Sequence, residues 1–124
     1  MIVGVGIELV DLARFETLLE RYGDRIRTRL FTKSEREYAA RKARAGESLA
    51  ARFAAKVATR RALRTSALGW QEIEVVRERR GPPTLRLSGA ARRAARRARV
   101  SNIAVTLTHD ATWCVGQVIL ESGP

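Results

Sequence analysis

Leu49-Ala-Ala-Arg-Phe-Ala-Ala-Lys-Val-Ala-Thr-Arg-Arg-Ala-Leu-Arg64 holds no glycine or proline and consists largely of Ala, Leu, Arg and Lys, the strongest helix formers. At ~100° per residue, Ala51, Ala55, Ala58 and Ala62 share one side, and Arg52, Lys56, Arg60 and Arg64 fall nearly opposite. Leu49, Phe53 and Val57 form a third stripe beside the cations. A ridge of alanines lets a neighbouring backbone come close, which predicts a central helix packed on two sides. Taken alone, the cation column on the remaining side reads as a solvated helix face. Its other physical reading is a face prepared for an anion.

The surrounding composition bounds the function. A chain of 124 residues, 45% hydrophobic and 30% charged, has the size and polarity of one folded domain spanning residues 1–124. No apolar run approaches the ~20 residues that cross a bilayer. The opening Met1-Ile-Val-Gly-Val-Gly lacks the basic n-region of a secretory signal, so a cytoplasmic protein is expected. One cysteine, Cys114, and one histidine, His109, exclude an internal disulfide and a Cys/His zinc site. The net charge of +11 calls for a polyanionic partner. Nucleic acid is the default candidate, but aromatics make up only 6% and none interleaves with a basic patch as base stacking requires.

Along the chain, Ile2 to Glu8 reads as a strand, followed by a helix that Asp11 caps and Gly23 ends. A short basic helix over Asp24 to Phe31 carries Arg25, Arg27 and Arg29. Thr32-Lys-Ser-Glu35 has the form of a capping box and predicts a helix to about Arg44, with Gly46 as a break before the central helix. Trp70 to Arg79 and Thr84 to Ser88 flank the Gly81-Pro82-Pro83 turn as a hairpin. Ser88 caps a helix over Gly89 to Arg99, whose arginines read as a solvated face. Ile103 to Thr108 and Trp113 to Glu121 are strands joined at His109-Asp-Ala-Thr112. Isolated strands among clustered helices predict an α+β fold, a small antiparallel sheet against the long central helix. Two places carry candidate chemistry: the Glu8 and Asp11 carboxylates at the end of the first strand, and His109-Asp110 at the last turn.

Three segments bear a resemblance. Val5-Gly-Ile-Glu-Leu-Val-Asp-Leu-Ala-Arg-Phe15 is similar to an opening of the form G-I/V-G-x-D-I/V, and Phe31-Thr-Lys-Ser-Glu35 to F/L-T-x-x-E. Leu49 to Ala58 lies over R/W-F-A-A-K-E-A. With the Gly81-Pro-Pro turn and Val105-Thr-Leu-Thr-His109, the chain resembles the holo-acyl-carrier-protein synthases, small trimeric 4′-phosphopantetheinyl transferases. The resemblance implies transfer of the phosphopantetheine arm of coenzyme A to a serine of an acidic acyl carrier protein, with Mg²⁺ on the pyrophosphate and sites between subunits of a trimer. It implies Lys56, Arg60, Arg61 and Arg52 as coenzyme A contacts, and Arg14, Arg25, Arg27 and Arg29 as carrier-protein docking residues.

The departures fall on the metal. Glu8 stands where the family has its first ligand, an aspartate, and Val57 where it has the second, a glutamate; Pro82 replaces a cation. Mg²⁺ needs near-octahedral oxygen geometry at ~2.0–2.1 Å, and an isopropyl group supplies no ligand. The expectation is therefore a transferase with a weakened or lost metal site, Glu8 being the remaining ligand. The alternative is a relative that binds a carrier protein without transfer, or performs acid–base chemistry on its bound chain with Glu8, Asp11, His109 and Asp110.

Overall fold

Ile2–Asp11 forms β1, longer than expected because antiparallel pairing with the last strand continues through Asp11 opposite Trp113. The computed structural model describes residues 1–77 and 80–123. From the end of β1 the chain passes directly into α1 (Leu12–Tyr22), where the Asp11 carboxylate accepts from the Arg14 amide as the expected cap. Gly23, at φ +54°, ends α1 in a conformation that costs a side-chain-bearing residue strain. The basic segment is α2 (Asp24–Leu30).

α3 (Lys33–Ala40) opens with the full capping box, Thr32 accepting from the Glu35 amide and Glu35 accepting from the Thr32 amide. Two boundaries depart from the sequence expectation. α3 stops at Ala40 rather than Arg44, and Gly46 does not break the chain but lies in the first turn of α4 (Ala45–Leu63). A glycine is tolerated there because first-turn amides have no intrahelical acceptor to lose. Arg64 closes α4 at φ +57°.

The expected strand from Trp70 begins instead as a 3₁₀ turn over Trp70–Glu72, because the Glu72 carboxylate folds back to accept from the Gly69 amide. β2 (Ile73–Arg77) then pairs antiparallel with β3 (Pro83–Leu87); Glu78 and Arg79, the rest of the expected strand, lie outside the described residues. α5 (Gly89–Arg97) starts at Ser88, yet the Ser88 side chain makes no capping bond. Glu72, 18 positions earlier, accepts from the Ala90 amide in its place. β4 (Asn102–His109) and β5 (Trp113–Glu121) complete a three-stranded antiparallel sheet in the order β1-β5-β4, beside the separate β2-β3 hairpin. The α+β expectation holds.

α4 crosses the three-stranded sheet on its alanine ridge: Ala55 and Ala58 are fully buried, Ala51 and Ala62 nearly so. Contact is backbone to backbone. A Cβ on Gly6 would sit 1.8 Å from the Ala58 carbonyl oxygen, and one on Gly116 2.5 Å from the Ala55 nitrogen. Strand alternation therefore turns Gly4, Gly6, Glu8 and Val10 toward α4. It leaves Val5, Ile7 and Leu9, each just over half exposed, on the outer face with their partners Ile119, Gln117 and Val115.

Candidate active site

The cation column of α4 is not one uniform solvated face: Arg64 at its end is exposed, but Lys56 and Arg60 are packed against other parts of the chain. Lys56 is completely buried, its Nζ 2.7 Å from Glu35 Oε1, 2.9 Å from the Trp70 carbonyl and 2.5 Å from that of Ile73. Burial pulls its ammonium below the usual lysine range, and the Glu35 carboxylate opposes that shift. Glu35 also accepts from the Val75 amide at 2.9 Å, so one ion pair ties α3, α4 and β2 together. Arg60 lies 3.4 Å from the Trp70 ring centroid and donates to the Leu68 carbonyl. Sequence reasoning missed Glu35 as a partner of Lys56 because 21 residues and a helix break separate them.

Arg52 is different. It is buried and donates to the Ser48 hydroxyl at 2.9 Å with its guanidinium 4.1 Å above the Tyr38 ring; its Nε, like that of Arg60, is buried without a partner among the described residues. It also lines a cleft of about 1120 Å³ between the α3–α4 connection and the end of β4. Lys42, Arg77 and His109 share that lining. His109 Nε2 stands 3.3 Å from Glu47 Oε1, a carboxylate placed to orient the imidazole. The cleft therefore combines a cationic wall, an aromatic ring at Tyr38 and a half-exposed histidine. Tyr38, Lys42, Glu47 and Arg77 were not singled out from sequence. Their common feature there is charge or aromaticity in segments that read only as helix ends and strand.

The other sequence candidates are distributed elsewhere. Asp11 is spent on the α1 cap. Asp110 holds the β4–β5 turn, accepting from the Thr112 and Trp113 amides at 2.8 and 2.7 Å; those bonds keep its carboxyl below the usual aspartate range. Arg14, Arg25 and Arg29 are exposed on α1 and α2, and Arg27 reaches Asp24 at 4.0 Å. Cys114 is buried, which with nearby Glu47 and Asp110 pushes its thiol up to about 11, so it is no nucleophile at neutral pH.

Glu8 pairs with Arg61 at 2.8 Å, and the same Arg61 nitrogen donates to the Ile7 carbonyl at 2.7 Å. Glu8 and His109 are not brought together in one chain. They occupy strands on opposite edges of the sheet. Their partners on α4, Arg61 in the last turn and Glu47 in the first, stand roughly 20 Å apart at ~1.5 Å per residue.

The residues present do not fit a resident divalent ion. Among the described residues no three His, Cys, Asp or Glu side chains stand close enough to hold a metal. Glu8, the one carboxylate expected to, is neutralised by a guanidinium, and Val57 one turn earlier on α4 is hydrocarbon.

The sequence profile of the 4′-phosphopantetheinyl transferase superfamily matches residues 4–115. The holo-[acyl-carrier-protein] synthase of Solibacter usitatus is 44% identical over 125 residues, covering 98% of this chain and 100% of that protein. The one from Geobacter metallireducens is 42% identical, covering 98% of each. Among solved structures, a holo-(acyl-carrier-protein) synthase from Bacillus anthracis in complex with CoA (3′,5′-ADP) superposes with a TM-score of 0.80 at 33% identity, over 99% of both chains. The acyl carrier protein synthase of Mycobacterium tuberculosis gives 0.73 at 34% identity, over 99% of this chain and 100% of that one.

Proposed function

We propose that this chain, which belongs to the 4′-phosphopantetheinyl transferase superfamily and within it to the holo-[acyl-carrier-protein] synthases, moves phosphopantetheine from coenzyme A to an acyl carrier protein. The serine oxygen of the carrier attacks the phosphorus that bears the pantetheine arm. The bond from that phosphorus to the bridging oxygen breaks, 3′,5′-ADP leaves with the electron pair, and the serine proton passes to a base. Two negatively charged reactants must be held together, so the protein's task is positioning and charge compensation.

The observation that carries this reading is the cation-walled cleft holding Arg52 and His109 in a chain that aligns from end to end with holo-acyl-carrier-protein synthases. Arg52 and Lys42, on the wall of that cleft, are its phosphate contacts. His109, about half exposed and oriented by Glu47, is the candidate proton acceptor. Lys56 and Arg60 act behind the site by fixing α4. The exposed α1–α2 arginines Arg14, Arg25 and Arg29 give an acidic carrier its docking surface. The distance from Glu8 to His109 within one chain supports a site completed by a second copy. The apolar outer face of β1 and β5 is the surface through which copies assemble as a trimer.

Purified protein, coenzyme A and an apo carrier protein, followed by intact mass, test the reading. The carrier gains one phosphopantetheine. A carrier left unmodified in both Mg²⁺ and EDTA would remove the proposal. One observation favours a second reading, carrier binding without transfer: Val57 offers nothing where the resemblance calls for a carboxylate. That reading requires a low-salt complex with the carrier and no change of its mass.

A further inference from the structure

We propose that Arg61 is the resident cation of this site and holds the pyrophosphate of coenzyme A in place of a divalent ion. The inference rests on the transferase reading above. Glu8 lies in the β1 row that faces α4, and Arg61 in the last α4 turn. Arg61 Nη1 is fixed by two acceptors, Glu8 Oε1 at 2.8 Å and the Ile7 carbonyl at 2.7 Å. Its Nη2 and Nε take no partner among the described residues, and the side chain is 56% exposed. A guanidinium anchored by one nitrogen with the rest of its fork open is shaped for two phosphate oxygens.

The same contacts disfavour a competing ion. Glu8 Oε1 already accepts from Arg61 and from the Leu9 amide at 3.2 Å. A divalent cation there would meet a carboxylate whose charge is compensated, the positive charge of Arg61, and Val57 instead of a second acid. Like charge at such range disfavours the newcomer. Glu8 is thus a positioning residue, aiming Arg61.

Calorimetric titration of coenzyme A into the assembled protein, in excess EDTA and in millimolar Mg²⁺, tests this. Affinity is expected to agree within about twofold between the two conditions. Arg61→Met should weaken it by about tenfold or more, the scale of a charge-assisted hydrogen bond. Arg61→Lys, which keeps the charge but not the fork, should fall between. It also serves as the readout if the methionine variant melts early. Coenzyme A binding that is tenfold tighter in Mg²⁺, or unchanged in both Arg61 variants, overturns the arginine assignment while leaving the transferase reading standing. Binding in neither condition, with an unmodified carrier in the mass assay, overturns both.

Discussion

Taking a lysine ammonium out of water costs several kcal/mol unless its charge and donors are met, and at Lys56 they are, by Glu35 and two carbonyls. The ion pair is therefore unforgiving of half measures. Glu35→Ala leaves a buried cation alone and is expected to lower stability by about 3–5 kcal/mol, measured by urea unfolding. The double change Glu35→Leu with Lys56→Met removes the lone charge but leaves the Thr32 and Val75 amides and the Trp70 and Ile73 carbonyls without their partners, so it should recover only part of the loss. A loss below about 1 kcal/mol in the single variant would refute the pair's role. Position 57 invites the opposite experiment. Val57→Glu carried with Glu8→Asp restores two carboxylates and is expected to raise transfer in Mg²⁺ more than in EDTA, as read by initial rates of carrier modification; equal rates would count against the metal argument.

Between elements, the closest tolerance is that of α4 on β1. A methyl at Gly6 would overlap the Ala58 carbonyl oxygen, and because the neighbour is backbone the helix itself must move. Gly6→Ala is expected to cost about 3 kcal/mol, the upper part of the overpacking range, and to displace Arg61 from Glu8. A melting temperature equal to that of the unaltered protein would show the helix yields freely. The β4–β5 turn is an electrostatic joint. The Trp113 and Thr112 amides hold the Asp110 carboxyl below its ordinary value of 3.8. A depressed folded-state value means the contribution is complete above pH ~3.8 and fades as pH falls through the lowered value. Asp110→Ala should therefore melt lower than the unaltered protein at pH 7, with the gap narrowing below pH 3.8. A gap as wide at pH 3 as at pH 7 would contradict this.

At the scale of the molecule, α4 is a rod with a charged pair at each end. Arg61 and Glu8 sit at one end, Glu47 and His109 at the other. Under the reading proposed above, a reaction using both ends draws them from different copies joined through the apolar outer face of β1 and β5. Ile7→Arg places a charge in the middle of that face and is expected to give a monomer by light scattering, with transfer lost. A monomeric Ile7→Arg protein with full activity would end the between-subunit reading.

Helix-former composition and periodicity located α4 and its alanine ridge, strand alternation located β4, an apolar run located β5, and local chemistry placed the Asp11 cap and the Thr32–Glu35 box, because each rests on neighbours a few residues apart. The shared motifs carried the family, and substitutions at Glu8 and Val57 already set the metal in doubt. The destinations of the α4 cations were decided by the folded chain. Glu35, Trp70 and Ile73 reach Lys56 only after α3, the 3₁₀ turn and β2 have packed around it. Glu72 caps α5 from a distance that no local pattern records, and Arg61 meets Glu8 only because glycines let β1 lie against the helix. Charge spacing specifies which side of a helix a cation occupies; what meets it there depends on long-range partners, and those exist only in the tertiary structure.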